Sequence, residues 1–554
     1  MIRWCAGSAT VVVVLAATST LHGQQATPLQ RANALIGQGQ PAQAVPILDS
    51  LTAAQPNLPQ GWGLLGAALL SARQIDRAIP ALERAIAFPV TRPNALYNLG
   101  LALSHAGRMD DAFTRLREAR ATGRADLTFL GTDPDAELVR ADPRYAELIP
   151  TAEEYAAPFV EPVRILREWT GDAAGDQFGW IARDVGDVDG DGIHDVVTSS
   201  PTARQSAGTV YVLSTGTGER RWSVHGAAGD QLGLGVEGAG DVNADGVPDV
   251  IAGAPGGDYV LVLSGRDGSI IHRIPARQPG ELFGRKVSGA GDWNADGYAD
   301  LLIGGPLNDA VGQDAGRVYL VSGRDATDLR VFSGEAAGHR FGDAVAGVAA
   351  PAPGMLVIGA PGAPGGGRTY VYRGTSADPA FTIEADSTGA QLGGMFVSVV
   401  GDVDGDGVPD AYASDWPNRA RGPTTGRVYV HSGATGRPLH VLTGEGPGQG
   451  FGIGAANAGD LNRDGRDDLV IGAWLFAGSA AMGGKVYLYS GADGALLGSV
   501  TGRVMGETLG FDATGLGDVN GDGVPDLLVT SAWSAIRGTR SGRVLILSGA
   551  DVMR

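Results

Sequence analysis

Six stretches of this 554-residue chain repeat one arrangement of acidic side chains. In GDVNGDGVPDLLV, residues 517–529, Asp518, Asn520 and Asp522 alternate, Gly523 follows, Val524 offers a backbone carbonyl, and Asp526 comes two residues later. The other copies are Asp187, Asp189, Asp191, Ile193 and Asp195; Asp241, Asn243, Asp245, Val247 and Asp249; Asp292, Asn294, Asp296, Tyr298 and Asp300. Further along come Asp402, Asp404, Asp406, Val408 and Asp410, then Asp460, Asn462, Asp464, Arg466 and Asp468. Side-chain oxygens at positions 1, 3, 5 and 9, a glycine for the sharp turn at 6 and a carbonyl at 7 describe a cage for a hard cation. An all-oxygen donor set without His or Cys selects calcium over zinc, and magnesium prefers to keep several waters. The loop is not an EF-hand, because Val529 stands where the bidentate Glu would be and β-formers follow where a helix would start. The alternative is a set of Asp/Gly-rich hairpin turns without metal. Six copies that all keep four oxygens favour calcium, about six ions per chain.

Charge points the same way. The cages hold 20 carboxylates in a chain of net charge −19, so much of the acidity reads as counter-charge for metal. The same balance argues against nucleic acid as a partner, and no Lys/Arg run suggests an anionic membrane surface. Extracellular loops of this kind bind calcium at roughly 10⁻⁴–10⁻³ M, which would make them structural staples between two strands. One unit departs from the rule. After Phe341-Gly342 the first Asp is due at 350, where the chain has Ala350 and then PAPG, so no metal is expected there.

The elements that carry these loops recur as a unit. Phe178-Gly179, Leu232-Gly233, Phe283-Gly284, Phe341-Gly342, Leu392-Gly393, Phe451-Gly452 and Leu509-Gly510 follow one another at spacings of 54, 51, 58, 51, 59 and 58. Each opens a small-residue strand, usually the Asp loop, an apolar strand such as DLVIGA, an alternating strand such as GRVYLVSG and a polar–apolar strand such as RRWSVHG. Four strands per unit at this period predict a seven-bladed β-propeller over residues 163–554. The last unit lacks its fourth strand, and VRILREWTG at 163–171 matches ERRWSVHG at 219–226 in Trp and Gly, so it is expected to close the ring. With IAGAP, IGGP and IGAP after the loops, these units resemble the FG-GAP repeats of integrin α-chain propellers over about 70% of the chain.

The front of the chain has another period. Leu35, Leu69 and Leu103, Ala44, Ala78 and Ala112, and Leu48, Leu82 and Leu116 each step by 34, as do Gly66 and Gly100. Small residues recurring opposite leucines describe paired antiparallel helices. The pattern resembles three tetratricopeptide repeats over 24–125, the second copy matching best through Trp62, Leu65, Gly66, Ala78, Leu82 and Ala85. The resemblance implies a concave face for a peptide of a partner. Residues 126–162 read as a helical cap and an extended linker, APFVEPV. Residues 1–23 read as a signal peptide, with Arg3, an apolar stretch at 9–17 too short to span a bilayer, and cleavage near Gly23. The single cysteine, Cys5, would leave with it, so no disulfide stabilises the exported chain. No later segment is apolar enough to cross a membrane, and the destination is the periplasm, the cell surface or the medium.

The fold class is thus multidomain, an α-helical tetratricopeptide-repeat solenoid followed by an all-β seven-bladed propeller. Catalysis has little support, since the eight histidines are scattered and no HExxH or complete GxSxG elbow occurs. The favoured function is a secreted, calcium-stabilised binding or adhesion-type protein for protein or glycan ligands. The alternative is an extracellular calcium-dependent polysaccharide-degrading enzyme. Trp416, Trp474 and Trp533 open long loops in three consecutive units, at the place where four other units carry Pro. These loops lie opposite the Asp loops, which is the ligand face in the integrin family. With Arg419, Arg421, Arg537 and Arg540 they suggest a site for a sugar polymer or acidic peptide. The competing reading packs each indole between blades.

Overall fold

The 34-residue step becomes three helix pairs: α1 (Pro28–Gly37) with α2 (Pro41–Ala54), α3 (Pro59–Ser71) with α4 (Ile75–Ile86), and α5 (Arg92–His105) with α6 (Met109–Ala121). This computed structural model describes residues 27–350 and 354–553, so the segment read as a signal peptide lies outside it. Thr27 caps α1 in a reciprocal box with Gln30, and prolines occupy the first turns of α1, α2 and α3, where their missing N–H has no helical partner anyway. The recurring small residue marks the crossing of each pair. A Cβ at Gly66 would lie 2.4 Å from Leu82 Cδ2, and one at Gly100 2.6 Å from Leu116 Cγ. Gly66→Leu is therefore expected to overpack the second pair and destabilise the helical unit by about 1–3 kcal/mol, read as an earlier helical melt in far-UV circular dichroism. Residues 126–157 form short turns and helices, and Leu127, Leu130, Ala136, Val139 and Leu148 join the helical core as a cap.

The chain divides into two compact units, the second beginning at Pro158. It holds seven four-stranded antiparallel sheets. The second strands, such as Asp195–Ser200 and Asp249–Ala254, are buried throughout, as expected where both faces are covered by neighbouring sheets. One apolar cluster fills each seam between neighbouring blades, and the seven anchors fall one to each cluster. Phe178, Phe283, Phe341 and Phe451 lie edge-on to Tyr211, Tyr319, Tyr370 and Tyr487 at centroid distances of 5.3–5.5 Å. The glycine after each anchor has φ between 78° and 97°. At Gly284 a Cβ would also strike Val260 Cγ2 at 2.5 Å, so both conformation and space require glycine.

The ring closes between chain ends. Ile165–Thr170 pairs antiparallel with Arg543–Leu547 as the fourth strand of the last blade, Trp169 opposite Val544. Trp169 Nε1 donates to the Gly218 carbonyl at 2.8 Å, as Trp222 Nε1 does to Gly265 at 2.8 Å one blade on. Residues 158–161, read as linker, are bound to the sixth blade: Val160 N–H donates to Thr501 O and Arg503 N–H to Pro158 O, both at 2.9 Å. The Glu161 carboxylate accepts from Thr501 N at 2.6 Å and Oγ1 at 2.9 Å. No helix among the described residues is long and apolar enough to cross a membrane.

Candidate functional site

Each Asp loop joins the first and second strands of its blade, so all six lie on one face of the ring. Their local geometry is the same. The position-1 carboxylate accepts from the backbone N–H of the glycine at position 6, at 2.7–2.9 Å in all six loops. That glycine has φ of 80–90° in every loop. The position-5 carboxylate accepts from the N–H at position 7, at 2.8–3.1 Å. A carboxylate has about four lone-pair sites, so these bonds leave acceptor capacity for a cation.

Position 9 does more than the sequence reading assigned to it. Asp195, Asp249, Asp300, Asp410, Asp468 and Asp526 are fully buried. One oxygen of each accepts from the N–H at loop position 2, at 2.8–3.1 Å. The other accepts from Thr215, Gly265, Gly323, Gly433, Gly491 or Gly549, also at 2.8–3.1 Å. These last residues lie just after the third strand of the blade, so each carboxylate pins two separate turns together. Burial pushes Asp195, Asp249 and Asp526 up to about 6 and Asp410 up to about 7, and raises Asp300 and Asp468, despite their backbone donors. Asp249→Ala leaves the Val242 and Gly265 N–H groups without their acceptor. It is expected to destabilise the propeller by about 3 kcal/mol even in EDTA, measured by calorimetry.

Carboxylate oxygens of Asp187, Asp189 and Asp195, and of Asp402, Asp404 and Asp410, lie within 4.8 Å of one another. Asp191 and Asp406 stand outside these groups. In the other four loops position 3 is Asn243, Asn294, Asn462 or Asn520, so fewer carboxylates are present to converge. The donor set is oxygen alone, which fits a hard cation. The fourth blade solves the same folding problem without an acid. Met355 occupies the ninth position, 2% exposed in an apolar cluster, and the Gly374 N–H donates instead to the Gly354 carbonyl at 2.8 Å.

The opposite loops decide between the two readings of the indoles. Trp416, Trp474 and Trp533 follow the second strands of blades five to seven, but they are buried and offer no flat face to solvent. Trp474 lies edge-on to Trp533 at 4.9 Å, to Phe511 at 5.3 Å and to Trp416 at 6.5 Å, and Phe511 meets Trp180 of the first blade at 4.9 Å. The cause is the apolar reward of a four-blade aromatic junction, which a lone surface indole lacks. Arg540 covers Trp533 at 4.2 Å from the ring centroid, while Arg419, Arg421 and Arg537 are exposed.

Comparison with known proteins agrees with this architecture. The FG-GAP repeat family matches residues 184–213, 236–271, 283–321 and 511–547, and the tetratricopeptide repeat family matches 29–90 and 64–126. Integrin alpha-E of Mus musculus is 33% identical over 171 residues, covering 28% of this chain and 14% of its own length. Integrin alpha-5 of Xenopus laevis is 29% identical over 220 residues, covering 35% and 21%. The chain thus spans about a fifth or less of the length of these curated relatives. BamB from Moraxella catarrhalis aligns over 70% of this chain and 99% of its own at 13% identity and a TM-score of 0.37, too loose a match to carry an argument. The chain is thus a seven-bladed β-propeller preceded by a helical unit; four stretches of the propeller match the FG-GAP repeat family, and residues 29–126 of the helical unit match tetratricopeptide repeats.

Proposed function

We propose that the chain is an exported, calcium-stabilised binding protein of the adhesion type, whose propeller and helical repeats are interaction modules for protein or glycan ligands. The observation that supports it most is the sixfold recurrence of one oxygen cage on one face of an integrin-like propeller. Calcium would be held by the carboxylates and amides at positions 1, 3 and 5, the carbonyl at 7 and the carboxylate at 9, from Asp187 to Asp526. A divalent cation beside the buried position-9 carboxylates would favour their ionised form, which burial alone opposes. The opposite face, over blades five to seven, is the ligand face in this reading. Its exposed Arg419, Arg421 and Arg537, rather than the indoles, would meet acidic groups of a peptide or sugar polymer.

Affinity capture from the native extracellular material, in calcium and then in EDTA, tests the reading. A partner retained in calcium, released by EDTA and lost by an Arg419→Ala/Arg421→Ala/Arg537→Ala variant of unchanged melt is the expected result. Retention by that variant would move the site elsewhere, and cleavage of a polysaccharide in place of retention would favour an enzyme.

A further inference from the structure

The chain has 42 basic residues, of which only Lys286 and Lys485 are lysines. Lys485 is paired with Glu445 at 2.7 Å. Lys286 lines the central channel of the propeller, a cavity of about 310 Å³ walled by the first strands of all seven blades.

The register of those strands explains why space remains. Arg183, Glu237, Ser288, Ala346, Ser398, Ala456 and Thr514 hold equivalent places, each opposite the same position of the second strand. Five of the seven are small. The two large ones neutralise each other: Arg183 donates to Glu237 at 3.1 Å and also pairs with Asp512. Glycines draw the strands close on the outer side of this ring. A Cβ at Gly289 would stand 2.7 Å from the Gly238 carbonyl oxygen.

The charges around the channel do not balance. Arg285 and Arg340 share Asp343, at 3.2 and 2.7 Å. With Arg183 and Lys286 this makes four cations against Glu237, Asp343 and Asp512. The excess is one positive charge, and Lys286 is the one of the four cations that forms no ion pair among the described residues. Its ammonium has no ion pair or hydrogen bond among the described residues, only the Phe396 ring, 4.3 Å from Nζ to the centroid. Burial, with Arg183 and Arg285 nearby, pushes it down to about 8, and burial pushes Glu237 up to about 7, so the negative side of the wall is weaker still. On the same wall Ser398 has a hydroxyl that bonds to nothing among the described residues, and Val345, Val397 and Phe396 are apolar.

We propose that the central channel is a binding site for a small organic monocarboxylate, held by the Lys286 ammonium and the Ser398 hydroxyl with its apolar part along Val345, Val397 and Phe396. A single uncompensated positive charge calls for a monoanion rather than phosphate, and the apolar lining favours a hydrocarbon tail over a bare ion. The volume lies at the small end of ligand cavities, roughly 300–1,000 Å³. The site lies inside the ring and does not depend on the metal loops.

The two lysines make the test clean. Full-length protein labelled with ¹³C at the lysine ε-carbon gives two resonances, Lys485 serving as the internal control. Benzoate and butyrate are titrated in, with inorganic phosphate and the neutral benzamide as comparators. The expected result is a saturable shift of the Lys286 signal alone, with a Kd below about 1 mM for a carboxylate and none for benzamide. By calorimetric titration Lys286→Met should weaken benzoate binding at least about tenfold, and Lys286→Arg should largely restore it. Phosphate binding as tightly as benzoate, no saturation by either acid below about 10 mM, or a Lys286→Met variant that binds like the parent would each overturn the proposal.

Discussion

Removal of residues 163–171 should open the ring and leave a propeller that aggregates and melts well below the parent. The deleted strand covers Arg543–Leu547, whose backbone would become a free edge. It also removes Trp169, which is 6% exposed and packs in the cluster between the last and first blades. Losing a buried Trp costs about 3–5 kcal/mol, and each ladder hydrogen bond contributes about 1 kcal/mol net. The Arg543 guanidinium, 1% exposed, loses Glu168 at 2.8 Å and keeps Glu507 at 3.0 Å. Taking one carboxylate away from a buried cation adds its own penalty. The sum is on the order of 8 kcal/mol, a large share of the 5–15 kcal/mol that holds a typical domain together. Size exclusion and calorimetry give the readout. A deletion variant that stays monomeric with the parent melt would show that the last blade needs only three strands. The milder Trp169→Ala change should lower the melt without opening the edge.

Helical solenoid and propeller were both legible because each is a repeat. A period of 34 can be seen without knowing any contact, and so can an anchor recurring at 51–59 residues. The anchor's place was not legible: nothing in Phe-Gly says that the ring fills a seam and meets a tyrosine three strands on. The Asp loops were legible as donor sets, but not in their backbone work. The second role of Asp195 and its equivalents depends on Thr215 or a glycine about 20 residues away, a distance no local motif spans. The sequence left the indoles open between a binding face and packing inside the ring, because a long loop reads as surface; the choice depends on three successive blades turning their Trp residues towards one another, which no local motif shows. The channel left even less trace. Arg183, Glu237 and Lys286 come from different blades, and only ring closure brings them to one axis.

Stripping calcium is expected to lower the propeller's melting temperature, and metal analysis of the dialysed protein is expected to find six ions per chain under the proposed reading. The six cages carry 20 carboxylates, and in the first and fifth blades three of them lie within 4.8 Å of one another, close enough to repel when no cation lies between them. At millimolar calcium and a Kd of roughly 10⁻⁴–10⁻³ M, linkage contributes about 1 kcal/mol per site, or about 6 kcal/mol for six. With an unfolding entropy of about 2.1 cal/mol/K per residue, a propeller of this size should lose about 7 °C on chelation. The fourth blade supplies the internal contrast. Its Met355 and the bond from Gly374 N–H to the Gly354 carbonyl replace the acid pin, so stability there is expected not to depend on metal. Substituting Asp241→Ala should reduce the ion count by one and the chelation effect by about a sixth, and changes at Ala350 should alter neither. Six ions with a calcium-independent melt would reduce the loops to passive binders. An ion bound beside Ala350, or no calcium at all, would contradict the assignment of the cages themselves.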